Sequence, residues 1–201
     1  MLRYGLTGGI ASGKSTVAAM LRERGFKVVE ADKISHGLIA PRGAAYDQVI
    51  ARFGGDIVDG DRTISHSRLA AIVFEDQEKL RQLNSILHPL VEKEMERQFA
   101  ELERDGGQVA VVEAALIFEA GLRGKLDGVI VVWCLPEQQL ARLMGRGMSE
   151  AEARKRVAAQ MPAEEKLALA TEKIDCSGSL DETRRQVDAL ASKLRAASVA
   201  R

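Results

Sequence analysis

The sequence has no excess of either charge. Its 29 lysines and arginines are matched by 29 aspartates and glutamates, so electrostatics supplies no global attraction to nucleic acid or to an acidic membrane, and any basic site must be local. Cysteine is scarce: Cys134 and Cys176 are far apart and in no metal-ligand spacing. Buried free thiols are therefore expected rather than a disulfide or a zinc site, and neither is assigned a role. No apolar run approaches the roughly 18 residues that span a bilayer. Met1-Leu2-Arg3-Tyr4 runs straight into a glycine-rich stretch with no room for a signal peptide, so a soluble, cytoplasmic protein is expected. Repeats, low-complexity tracts and long linkers are also missing. The 201 residues, 46% of them hydrophobic, suit one domain with insertions and a sizeable core.

What is present begins at Gly8-Gly9-Ile10-Ala11-Ser12-Gly13-Lys14-Ser15-Thr16. Gly, four residues, then Gly-Lys-Ser/Thr is the pattern of a phosphate loop, and the flanks agree: Leu2 to Leu6 reads as a strand and Val17 to Arg24 as a helix. The glycines allow successive N–H groups to turn inward toward anionic oxygens, with the N-terminus of the following helix adding partial positive charge. Lys14 then reaches the terminal phosphates of ATP, and Ser15 offers a hydroxyl to Mg²⁺. The bland alternative is a glycine-rich turn with an incidental lysine.

Lys27-Val28-Val29-Glu30-Ala31-Asp32, after Gly25, reads as a second strand closing on an acid. Strand, helix, strand predicts a parallel sheet with a right-handed crossover and puts ligand chemistry at the carboxyl ends of the strands. Asp32 then shares an edge with the loop, where it takes a proton from an attacking hydroxyl or helps hold the metal. Its other reading is the cap of a helix beginning at Lys33. Glu30 either supports the site or solvates the strand edge. From Ile34 to Arg104 helices take over: Tyr46 to Phe53, one capped by Ser65 or Ser67, and a long one on the stripe from Leu80 to Leu102 with a kink at Pro89. This insertion either binds the second substrate or adds a stabilising layer. His88 reads as a packed histidine or as a substrate ligand.

Gln108 to Glu113, Val129 to Cys134 and Lys173 to Cys176 read as the remaining strands. Glu113 and Glu119 are each either catalytic or solvated. Pro136 opens a helix on which Arg142 and Arg146, four apart, share one face. Ser149-Glu150-Ala151-Glu152 starts another, bearing Arg154 and Arg156. Two helices joined at Gly147 with arginines around the joint read either as a lid that closes over ATP or as a solvated basic face. Interleaved glutamates argue against a nucleic-acid patch. Ser179 or Asp181 caps a final helix, whose preceding turn is expected to border the adenine, and Ala196 to Arg201 are expected to fray.

Along most of its length the chain resembles the dephospho-CoA kinase family. The residues that carry the resemblance are the loop with Leu6-Thr7 before it, Ala31-Asp32, Phe53-Gly54, Leu83-Asn84 with His88-Pro89, Leu116-Ile117-Phe118-Glu119, Arg142 and Arg146, Gln160 with Lys166, and Ile174-Asp175 before Ser177-Gly178. The resemblance implies an α/β P-loop kinase of three layers with a five-stranded parallel sheet, a helical acceptor-binding insertion and a helical lid. Its implied divisions are a nucleotide core of 1–33, 106–136 and 167–201, an acceptor subdomain of 34–105 and a lid of 137–166. The implied reaction is ATP-dependent phosphorylation of the ribose 3′-hydroxyl of dephospho-CoA. Asp32 matches the family's proposed base. Lys14, Ser15 and Thr16 match its ATP and Mg²⁺ contacts, Arg146 its lid arginine, and His88 and Pro89 an acceptor block; Gly8, Gly9, Ala11, Ser12 and Gly13 are expected to complete the nucleotide-binding loop, and Arg142 with Arg146 to stabilise the transferring group. Glu30, His36, Arg62, His66, Ala115 and Cys176 depart from the residues usual in the family, putting the acceptor's phosphate contacts in question. The rivals are a nucleoside, nucleotide or shikimate-type acceptor and a nucleotide-dependent switch, the latter without an Asn-Lys-x-Asp sequence to read guanine. The oligomeric state is left open.

Overall fold

The computed structural model describes residues 1–74 and 76–200. In chain order β1 (Leu2–Gly8), α1 (Lys14–Glu23) and β2 (Lys27–Glu30) come first. The helices α2 (Ala31–Ile39), α3 (Tyr46–Phe53), α4 (His66–Phe74) and α5 (Gln77–Arg104) follow. Then come β3 (Val109–Glu113), β4 (Gly128–Trp133), α6 (Pro136–Met144), α7 (Glu150–Ala158), α8 (Ala163–Ala168), β5 (Glu172–Asp175) and α9 (Leu180–Val199). The chain divides into two compact units, one of Met1–Glu30 with Glu101–Arg201, the other of Ala31–Ala100.

The first unit is built on the sheet. Its strands lie in the order β2-β3-β1-β4-β5 and every neighbouring pair is parallel. Strands covered on both faces read as unbroken apolar runs, and every residue of β3 is buried accordingly. Leu6, Val111, Ile130, Val132 and Ile174 alternate onto one face. There they meet Val17, Ala18 and Leu21 of α1 and Val187, Leu190 and Leu194 of α9, all recurring at helical spacing. Ser179 caps α9 in a box with Glu182, the first of the two caps expected. The α9 helix continues to Val199 instead of fraying from Ala196; Arg201 lies outside the described residues. Among the described residues, no helix is long and apolar enough to cross a membrane.

The second unit has its own core of Ile39, Val49, Ile57, Ile64, Leu69, Val73 and Leu83, against which Leu80, Ile86, Leu87 and Leu90 pack. The α3 helix matches its expected span, and Pro89 is accommodated inside a single helix of 28 residues.

Two expectations are corrected. The strand expected to run to Asp32 stops at Glu30, because its last register partner is Glu113, where β3 itself ends; Asp32 stands instead in the first turn of α2, second in the helix and not its cap. Arg146 is not on α6. That helix ends at Met144, and the backbone turns through Gly145 and Gly147, the latter at φ 88°, a left-handed value that suits glycine.

Candidate active site

The carboxyl ends of β1 and β3 and the start of α1 converge on the glycine-rich loop. Gly8 approaches β4 so closely that a Cβ would collide with the Val132 carbonyl. Gly13, at φ 107°, is the N-cap of α1, and a side chain there would also meet Cys176 Sγ at 3.0 Å. Ala11 takes a positive φ of 58° without the freedom of glycine, the kind of local strain held at ligand loops. Ser12 Oγ lies beside Gly8, buried and with no hydrogen-bond partner among the described residues. A buried orphan hydroxyl, the partnerless amides of a helix's first turn and an adjacent lysine form a donor set for phosphate oxygens.

Lys14 Nζ lies 2.9 Å from Glu113 Oε1, and Ser15 Oγ donates to the same oxygen at 3.4 Å. Glu113 is 7% exposed, so its charge is held by partners and not by water. Arg22, near the end of α1, reaches its other oxygen at 3.6 Å and Glu30 Oε1 at 2.5 Å. Glu30 and Glu113 are register partners across β2 and β3. Like charges set opposite one another repel, and the Arg22 guanidinium between them offsets that. Sequence alone leaves Glu113 open between catalysis and solvation, and Arg22 carries no signal in it. Among the described residues no group of three or more His, Cys, Asp or Glu could hold a metal. A hydroxyl beside one carboxylate nonetheless suits Mg²⁺, which is commonly bound through one or two carboxylates plus substrate phosphates.

Three side chains from the α6–α8 segment grip the loop backbone. Gln139 Nε2 donates to the Ile10 carbonyl at 2.8 Å, and Ile10 N–H donates to Gln160 Oε1 at 2.7 Å. Arg142 donates to Ala11 O at 3.1 Å and to Cys176 O at 2.8 Å, tying the loop to the end of β5. Arg142, Arg146, Gly13, Thr16, Cys176 and Gly178 line a cleft of about 280 Å³. Arg146 is exposed, whereas Arg142 is committed to carbonyls. The expected basic joint is otherwise neutralised within its own helix: Arg154 pairs with Glu150 and Arg156 with Glu152. Behind the loop, fully buried Lys166 pairs with Glu119 at 2.9 Å. Both cysteines are free and buried, and burial pushes both thiols up from their ordinary value of 9.0.

The other expected residues belong to the second unit. Asp32 is exposed at the start of α2, and His88 and Pro89 lie midway along α5, half-buried and exposed respectively. His36 and His66 form an edge-to-face ring pair with centroids 4.4 Å apart.

The family model for dephospho-CoA kinase matches residues 2–182. A dephospho-CoA kinase of Carboxydothermus hydrogenoformans is 47% identical, the match covering 91% of this chain and 89% of that protein. The crystal structure of TT1252 from Thermus thermophilus superposes with a TM-score of 0.85 at 34% identity, covering 96% of this chain and 97% of that one. Dephospho-CoA kinase from Campylobacter jejuni superposes at 0.70 and 28%, covering 96% of each chain. A shikimate kinase from Bacteroides thetaiotaomicron, at 14% identity and a TM-score of 0.50, shares the fold alone. With the phosphate loop, the sheet order and these matches in agreement, the chain belongs to the dephospho-CoA kinase family.

Proposed function

We propose that the phosphate loop, Asp32 and the Arg142–Arg146 pair carry out in-line transfer of the γ-phosphoryl group of ATP to the ribose 3′-hydroxyl of dephospho-CoA. The observation that supports this most directly is Lys14 held 2.9 Å from Glu113 beside the unpartnered Ser12 hydroxyl. Gly8, Gly9, Ala11, Ser12, Gly13 and Thr16 cradle the phosphates through backbone and hydroxyl groups, and Lys14 spreads positive charge over the terminal ones. Ser15 and Glu113 would hold Mg²⁺, which would supply positive charge to offset that of the nucleotide's phosphates. Arg146, whose side chain binds no carbonyl among the described residues, meets the charge of the transferring group; Arg142 sets the loop in place and adds its field. Asp32 orients and deprotonates the attacking hydroxyl.

On this reading residues 1–33, 106–136 and 167–201 form the nucleotide core. Residues 34–105, with His88 and Pro89 on α5, take the acceptor, and residues 137–166 close as a lid that excludes water. The partners are then two small molecules in the cytoplasm, with no nucleic acid or membrane. A coupled assay of ADP release, run with dephospho-CoA, a nucleoside monophosphate and shikimate as acceptors, tests it. Release that depends on dephospho-CoA supports the reading; release with another acceptor only, or equally without any acceptor, overturns it.

A further inference from the structure

The second unit contains a cleft of about 460 Å³ walled by the end of α2, the 59–65 segment and the start of α4. Its polar lining is His36, His66, Asp59 and the hydroxyl residues Thr63, Ser65 and Ser67. The two imidazoles touch edge to face, 4.4 Å between centroids and 61° between planes. Asp59, the only charged residue in the lining, is already bound to the Arg68 guanidinium, which also donates to the Asp56 carbonyl at 2.6 Å. The cleft therefore offers two protonatable rings and three hydroxyls with no unengaged carboxylate among the described residues to balance them.

Two imidazolium ions in contact repel each other, and an anion seated in the cleft against both offsets that repulsion while accepting hydrogen bonds from them. A divalent metal fits less well, since Arg68 occupies the one carboxylate and repels a cation. We propose that this cleft is an oxyanion subsite in which His36 and His66, with the hydroxyls beside them, hold the diphosphate of the acceptor. The inference rests on the reading that the second unit takes dephospho-CoA. Partial burial, with His36 beside it, lowers the pKa of His66. The charged groups on the surrounding elements are Asp32 and Lys33 on α2, Asp59, Asp61 and Arg62 on the connecting segment, and Arg68 on α4. Of these, Asp59 is paired with Arg68, and Asp61 accepts from the Thr63 hydroxyl at 2.6 Å. The subsite consequently binds its anion better below the histidine range than above it.

The test is steady-state kinetics of the full chain from pH 6 to pH 8 with dephospho-CoA varied at saturating ATP, for the unaltered chain, H36Q/H66Q and H36R/H66R. The unaltered chain is expected to show KM for dephospho-CoA rising with pH. In H36Q/H66Q that KM is expected to be higher by about ten-fold at pH 6, the scale of lost charge-assisted hydrogen bonds, and flat with pH, with KM for ATP unchanged. H36R/H66R, whose charges do not titrate, is expected to keep a low KM at both ends. Inorganic pyrophosphate as a probe is expected to raise the pKa of both histidines in an NMR titration of the unaltered chain. An unaltered KM and pH profile in H36Q/H66Q, or histidines indifferent to pyrophosphate, overturns the subsite. If the unaltered chain releases no ADP with dephospho-CoA, the acceptor assignment itself fails instead. A shift of both histidines on Zn²⁺ but not on pyrophosphate replaces the anion by a metal and also overturns the proposal.

Discussion

Lys14 Nζ and Glu113 Oε1 are 2.9 Å apart across 99 residues of sequence, with the carboxylate 7% exposed. The pair holds the loop lysine in place, and a bound polyphosphate offers that lysine a second partner. Glu113→Gln keeps the shape and removes the charge that faces Lys14, Ser15 and Arg22. Hydrogen bonds to charged groups contribute about 1.5–3 kcal/mol, so turnover is expected to fall by roughly one to two powers of ten. The Mg²⁺ concentration for half-maximal rate is expected to rise. Titrating Mg²⁺ against ADP release checks both; an unmoved Mg²⁺ dependence removes Glu113 from the metal's surroundings.

Asp32 opens α2 as an exposed carboxylate two residues beyond β2. Asp32→Asn preserves size and a helix-compatible polar group, so the fold and ATP affinity are expected to be unchanged. Losing a general base costs about 10²-fold or more in turnover. Nucleotide affinity by calorimetry and turnover by ADP release separate the two effects, and near-normal turnover assigns the base elsewhere.

Arg142 and Arg146, alike by sequence, are expected to separate on truncation. Arg142→Ala frees the carbonyls of Ala11 and Cys176, so KM for ATP rises along with the loss of turnover. Arg146→Ala touches neither carbonyl and is expected to lower turnover with little change in KM for ATP, as for a contact made only in the transition state. Identical kinetic signatures in the two variants contradict this division of roles.

The parts of the site written in local sequence were legible. The phosphate loop, its strand and its helix lie within one continuous stretch, and the Gly13 turn and the capping box at Ser179 are set by near neighbours. What was not legible depends on partners far along the chain. The end of β2 is decided by where β3 stops pairing with it, so Asp32 passed from strand to helix. Glu113 becomes readable only when Lys14 and Arg22 close on it; Gln139 shows no signal in the sequence, and Gln160, marked there only by resemblance, gains a role when Ile10 is seen between the two. Lys166, a charged residue in a short helix, is the one lysine whose burial no pattern announced; Glu119, 47 positions away, is what makes it tolerable.

Cys134 and Cys176 are buried and free, and burial raises both thiol pKa values in the folded chain above the ordinary 9.0. In the native state the thiolate is therefore scarce and shielded, and Ellman's reagent at pH 8 is expected to find almost no reactive thiol until denaturant is added, when both react. The sign for stability follows from the same shift. A thiol that ionises more readily unfolded than folded adds nothing to the pH dependence below about 9, where both states keep the proton; above it the unfolded chain releases its thiol protons while the folded chain holds them, so unfolding is favoured as pH rises. Stability is expected to be level through neutral pH and to decline as the pH climbs from 9 toward the raised values, with the decline smaller in Cys134→Ser/Cys176→Ser than in the unaltered chain. Cys176 also lines the cleft beside Gly13, so if that cleft takes the nucleotide, as proposed, saturating ATP is expected to slow its alkylation more than that of Cys134. Mass spectrometry of partially alkylated protein resolves the two sites, and equal protection of both by ATP removes Cys176 from the nucleotide's edge.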